Sequence, residues 1–104
     1  MESGDIGNIG ECIVTSDLKS KGFLCFRNTQ QPGSTDITAY KGDDKRLVQV
    51  KTGLYPNDPP KISGEEVRNI SSRATRLGYS AFLATLQINS DRERVGEIKY
   101  KKLN

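Results

Sequence analysis

Histidine and tryptophan are absent from this chain, and methionine occurs once. Without histidine, the common zinc sites and every mechanism built on a histidine base are excluded. Cysteine occurs only twice, at Cys12 and Cys25, and never as CxxC. A structural zinc site therefore lacks support, and two reduced, buried thiols are expected instead. No apolar run approaches the roughly 18 residues of a membrane span, and no leader-like segment is visible, so a soluble, cytoplasmic protein is expected. Any hydrolytic chemistry must run on carboxylates, lysine or a hard metal ion.

The 104 residues suffice for one modest core, and a single domain over 1–104 is expected, with residues 1–7 frayed. Apolar residues make up 34% and charged residues 28%, which is polar, but the apolar positions are periodic and so argue for a folded chain. A core this thin gains from a second copy, and a homodimer is expected. The net charge of +3 permits a polyanionic partner without requiring one.

Periodicity predicts a helix from Asn8 to about Lys19, with Ile6, Ile9, Cys12, Ile13 and Val14 on one arc, Glu11 at its edge and Gly22 as the stop. Phe23 to Arg27 reads as a strand, Asn28 to Ser34 as a loop around Pro32-Gly33, Thr35 to Tyr40 as a second strand and Arg46 to Thr52 as a third. Residues 53–62 hold three prolines and are expected to be a stiff connector. Ser63 and Glu66 form a capping box, opening a helix to about Leu77 with Val67, Ile70, Ala74 and Leu77 as its stripe and Gly78 as its stop. Tyr79 to Ile88 reads as a buried strand and the lysine-rich Val95 to Leu103 as an edge strand. The order is α-β-β-β-α-β-β, an α/β sandwich with the sheet in the middle.

The informative stretch is Ser34 to Thr52. Gly42-Asp43 is a good two-residue hairpin loop. It pairs Lys41 with Asp44, and counting back sets Asp36 opposite Gln49, on a face shared with Lys51. Ile37, Ala39, Val48 and Val50 form the opposite, apolar face. A carboxylate, an amide and an ammonium on one face can hold a divalent metal and position a water. An ordinary Asp–Lys cross-strand pair on a solvated face is the plain alternative. Glu11 can reach the same place, and Pro32-Gly33 allows close approach of a ligand. The second helix carries Arg68, Arg73 and Arg76, with Ser71 and Ser72 between them; Arg68 and Arg76 lie eight apart, roughly on one face, which suits contact with phosphates, a solvated helix flank being the plain alternative.

These residues resemble the PD-(D/E)xK nucleases, the restriction-endonuclease-like superfamily. The matching positions are Gly10-Glu11, Asp36 and Gln49-Val50-Lys51, and the phrase LVQVKTG looks most like archaeal Holliday-junction resolvases and the Mrr-like nucleases. Gln49 stands where the superfamily usually has an acid, although Mrr-like members also carry glutamine there. The resemblance implies a restriction-endonuclease-like fold with a central mixed sheet flanked by helices. It also implies a Mg2+- or Mn2+-dependent endodeoxyribonuclease of junction-resolving, restriction or repair type, acting on DNA, branched DNA included. In that scheme Asp36, the Gln49 side-chain oxygen and the Val50 carbonyl hold the metal, Glu11 assists, and Lys51 serves the attacking water. A non-catalytic nucleic-acid-binding or assembly module on the same fold is the other reading.

Overall fold

A computed structural model describes residues 3–28 and 36–104. The elements are α1 (Ser3–Ser20), β1 (Leu24–Arg27), β2 (Ile37–Lys41), β3 (Asp44–Leu54), α2 (Gly64–Leu77), β4 (Ser80–Ile88) and β5 (Arg94–Lys102). This is the expected order. The five strands form one sheet in the order β1-β2-β3-β4-β5, antiparallel except for the β3–β4 pair. Parallel neighbours need a crossover, and α2 supplies it. The expected loop around Pro32-Gly33 lies outside the described residues.

The β2–β3 register is the one the turn predicts: Lys41 pairs with Asp44, Tyr40 with Lys45 and Ile37 with Val48. Gly42 has φ 59°, while Asp43 has no positive φ, the pattern of a type II′ hairpin with glycine first. Ile37, Ala39, Val48 and Val50 therefore share one face. They are buried there with Ala84, Leu86 and Ile88 of β4 beneath Val14 and Leu18 of α1. The opposite face is covered more lightly. Ile70 and Ala74 of α2 meet Leu47 and Ala81 in a second, smaller cluster. One helix on each face confirms the sandwich.

The local signals for α2 act as written. Ser63 Oγ accepts the Glu66 N–H and Glu66 accepts the Ser63 N–H, each at 3.1 Å, and Gly78 closes the helix at φ 76°. The expected connector over 53–62 is shorter: Gly53 and Leu54 continue β3, paired with Gln87 and Ile88, and residues 55–62 are irregular, as the prolines require, and tied down. Asn57 O accepts from Gln87 Nε2 at 2.8 Å, and the Tyr55 N–H donates to Ile88 O at 2.8 Å.

Several expectations need correction. α1 begins at Ser3, ahead of Asn8, because the 3–7 segment extends the helix and Ile6 packs against the core. Cys12 is exposed and Cys25 only half-buried, because Val14 and Leu18 carry the centre of the helix's inner face and Cys12 falls at its margin. Leu77, counted in the α2 stripe, is 54% exposed: it is the last residue of the helix, and the buried stripe ends at Ala74. No helix among the described residues is long and apolar enough to cross a membrane.

Gly10 explains how α1 lies so close to the sheet. A Cβ there would run into the Thr52 side chain of β3, whereas one at Gly7 would meet open space. Replacing Gly7 by alanine should raise stability by about 0.5–1 kcal/mol through helix propensity alone. The same change at Gly10 should instead cost roughly 1–3 kcal/mol by overpacking. Urea denaturation of the two variants checks this, and equal effects would show that the α1–β3 approach is not set by Gly10.

Candidate functional site

β2 is shorter than β3, and the site forms in the difference. The last pairing of β2 towards its N-terminus is Ile37 with Val48, while β3 continues to Leu54. Val50 has the same strand parity as Val48, so its N–H and C=O point into the space β2 has vacated. Asp36, immediately before β2, fills part of that space, and its Oδ2 accepts the Val50 N–H at 2.8 Å. An N–H that would otherwise be orphaned is thereby satisfied by a charged acceptor.

The carboxylate is electrostatically uncomfortable. Its pKa is raised from 3.8 to about 6, chiefly by burial. The Val50 hydrogen bond and the Lys51 charge pull the other way, while the charges of Glu11 and Glu66 push it further up. Asp36 thus lies within the fields of an acid from each helix and of the β3 lysine.

The partners differ from a simple four-residue cluster. Lys51 Nζ bonds Glu66 Oε2 of α2 at 2.8 Å, and this pair holds the Glu66 carboxyl below its ordinary pKa. Glu11 Oε1 is paired with Arg27 Nη2 of β1 at 3.2 Å. Arg27 also donates to Asn8 Oδ1 at 2.6 Å and to Cys12 Sγ at 3.1 Å. Gln49 is half-buried on the face of Lys51, and its amide makes no side-chain hydrogen bond among the described residues. Its oxygen is therefore free to bind a ligand.

Glu66 is the participant the sequence reading missed as a site residue. It reads there only as the third position of a capping box. The available signal was geometric: the helix after β3 must start near the end of β3, so its first-turn acids fall beside Lys51. Arg68, Ser72 and Arg76 lie exposed on α2, and Arg73 is half-buried and engaged. It is Glu66, not these arginines, that α2 brings to Lys51.

Could these residues hold a metal? Among the described residues no three His, Cys, Asp or Glu side chains cluster tightly enough to form an all-side-chain metal cage. The donors on offer are a carboxylate, an unpaired amide oxygen and a strand carbonyl, all hard oxygens of the kind Mg2+ and Mn2+ favour. The residues fit a hard divalent cation held through mixed oxygen donors.

No protein-family model matches this chain, and no curated protein sequence matches it. Among solved structures, one match has a TM-score of 0.75 and covers 93% of this chain and 72% of its own. Its fold is an archaeal Holliday junction resolvase's. That protein is Hjc of Archaeoglobus fulgidus, and the two sequences are 21% identical. The likeness is one of fold, and it agrees with the expected order of helices and strands.

The electrostatics of Asp36 make a prediction that needs no activity. A folded pKa above the free-carboxyl value means that the fold favours the protonated form. The stabilisation is present below about pH 4 and is lost as pH rises through about 6. In EDTA, Asp36→Asn keeps an acceptor for Val50 and removes the charge. It should stabilise the protein at about pH 7.5 by on the order of 1–2 kcal/mol, discounting for partial exposure. The difference from wild type should vanish near pH 4. A variant less stable than wild type across the range would contradict this account.

Proposed function

We propose that this chain is a Mg2+- or Mn2+-dependent DNA endonuclease that hydrolyses phosphodiester bonds, with junction-resolving or restriction and repair types as the candidates. The observation carrying the reading is the convergence at the vacated end of β2: Asp36 bound to the Val50 N–H, a Gln49 amide unpaired among the described residues, and Lys51 held by Glu66. That this convergence arises on a resolvase-like fold adds support of a general kind.

Asp36, the Gln49 oxygen and the Val50 carbonyl would hold the cation, with Glu11 assisting from α1. When bound, the ion supplies Lewis-acid activation of the phosphate and of water. The Val50 N–H fixes the orientation of the Asp36 carboxylate. Lys51 presents an ammonium on the same sheet face, where it can orient the attacking water and offset charge developing on the phosphate. Glu66 positions Lys51: its carboxylate is anchored by the Ser63 N–H through one oxygen and grips Nζ through the other. Arg68, Arg73, Arg76 and Ser72 are proposed to contact DNA phosphates away from the reacting bond.

The test is cleavage of supercoiled, linear and four-way-junction DNA with Mg2+ or Mn2+. Asp36→Ala and Lys51→Ala should each lose about 10²-fold or more in rate, and EDTA should abolish cutting. Equal rates in the variants would reject these residues. Binding without cutting by wild type would favour the non-catalytic module. Glu66→Gln is informative because glutamine still completes a capping box. It should leave stability within about 0.5 kcal/mol of wild type while changing the pH profile of cleavage; an unchanged profile would leave Glu66 a purely structural role.

A homodimer is part of the proposal. α2 covers β3 and β4, and among the described residues no helix covers the same face of β1 and β2, where Leu24 is 62% and Phe26 54% exposed and Phe26 packs edge-on against Tyr40. β1 is also an open sheet edge. A second copy seated there would cover both liabilities. Sedimentation should show a dimer that Phe26→Asp dissociates; a dimer indifferent to that change would place the interface elsewhere.

A further inference from the structure

β5 carries four basic residues against one acid, as much net positive charge as the entire chain. Lysines suit an edge strand, and that explanation covers all of them equally. The register does not treat them equally. Lys51 of β3 pairs with Thr85 of β4, and Thr85 pairs with Lys99 of β5. Gln49, Leu83 and Lys101 form the adjacent row. Lys99 and Lys101 therefore share the sheet face of Lys51 and Gln49. Lys102 pairs with Phe82, whose row continues to Val48, and so belongs to the opposite face.

The α2 side of the lane is also basic. Ser71 Oγ donates to Leu103 O at 3.4 Å, which sets that flank of the helix beside the end of β5. Arg68 lies one turn earlier on the same flank and is exposed. Among the described residues Lys99, Lys101 and Arg68 have no ion-pair partner, whereas Lys51, Arg27, Arg46 and Lys21 each have one. Between the 58–59 segment and β5 runs a groove of about 280 Å3 floored by Thr85 and Gln87, with Lys99 on its wall. Asp58 and Glu97 line the same groove, so the net positive charge of the lane comes from Lys101 and Arg68 beyond it.

We infer that this lane, Lys99 and Lys101 with Arg68, binds the phosphates of a DNA strand leading away from the Lys51 site across β4 and β5. The inference rests on the nuclease reading for the choice of DNA. The lane accounts for what edge protection leaves unexplained: unpaired cations continuous, row by row, with the proposed site.

The experiment is fluorescence anisotropy in EDTA, so that nothing is cut, at several salt concentrations. The probes are a labelled single strand, a duplex and a four-way junction of synthetic DNA. Lys99→Gln/Lys101→Gln is compared with Lys102→Gln, a neutralisation on the same strand but on the other face. The double variant should bind at least fivefold more weakly to whichever probe wild type prefers. It should also flatten the slope of log affinity against log salt by about two, roughly one for each phosphate no longer neutralised. Lys102→Gln should bind within twofold of wild type. Equal losses in the two variants, or no loss in the double variant, overturn the lane. Wild-type cleavage is scored separately with Mg2+. Cutting with an unaffected double variant leaves the nuclease reading standing and removes the lane. A weakened double variant of a protein that never cuts supports the lane and removes the nuclease reading.

Discussion

A two-residue turn decides the chemistry of this molecule. With Gly42 and Asp43 as the loop, every side chain of β2 and β3 is assigned a face, and a slip of one residue in either strand would exchange the faces of that strand. The assignment gives α1 an unbroken apolar floor of Ile37, Ala39, Val48 and Val50. The same parity leaves Gln49 and Lys51 on the other side, towards α2. Core and candidate site are consequences of one register. That ties them together: a change that blurred the site by slipping the strands would also lose the core.

The site itself exists because β3 outruns β2. An overhanging strand has unpaired N–H and C=O groups, which cost free energy when withheld from water. Asp36 resolves the Val50 N–H with an acceptor that carries charge, and the fold destabilises that charge by burial and by two neighbouring acids. A glutamine or a serine could satisfy one N–H without the electrostatic cost. On the proposed reading, a bound cation would offset that cost. Glu66 shows a related economy, since one carboxylate closes the α2 cap and holds Lys51.

Much of this was legible in the chain. The hairpin register, the capping box, the αL glycine at Gly78 and the lysine-rich edge strand follow from local rules, and local rules hold because their causes are within a few residues. What was not legible depended on distance. Cys12 lies inside an apolar run but at the margin of the helix's inner face, and only the placement of α1 on the sheet shows this. The Glu11–Arg27 pair joins α1 to β1 across sixteen positions, and the Lys51–Glu66 pair joins β3 to α2. Neither has a periodic signature. The value of Gly10 was visible only as half of a Gly-Glu dipeptide until the approach of Thr52 supplied its steric reason.

Gln49 can now be placed in that electrostatic setting. The usual expectation for a hard-metal site is a second carboxylate at this position. Here burial raises the Asp36 pKa to about 6, and the charges of Glu11 and Glu66 add to that rise. A further acid on the adjacent strand would deepen that repulsion in the metal-free protein. An amide supplies a hard oxygen without adding to the repulsion, and among the described residues that oxygen is unpaired. On the proposed reading, Gln49 exchanges some metal affinity for an Asp36 that can ionise. Lys51, neutralised on one side by Glu66, leaves the charge of a bound cation to be balanced mainly by Asp36.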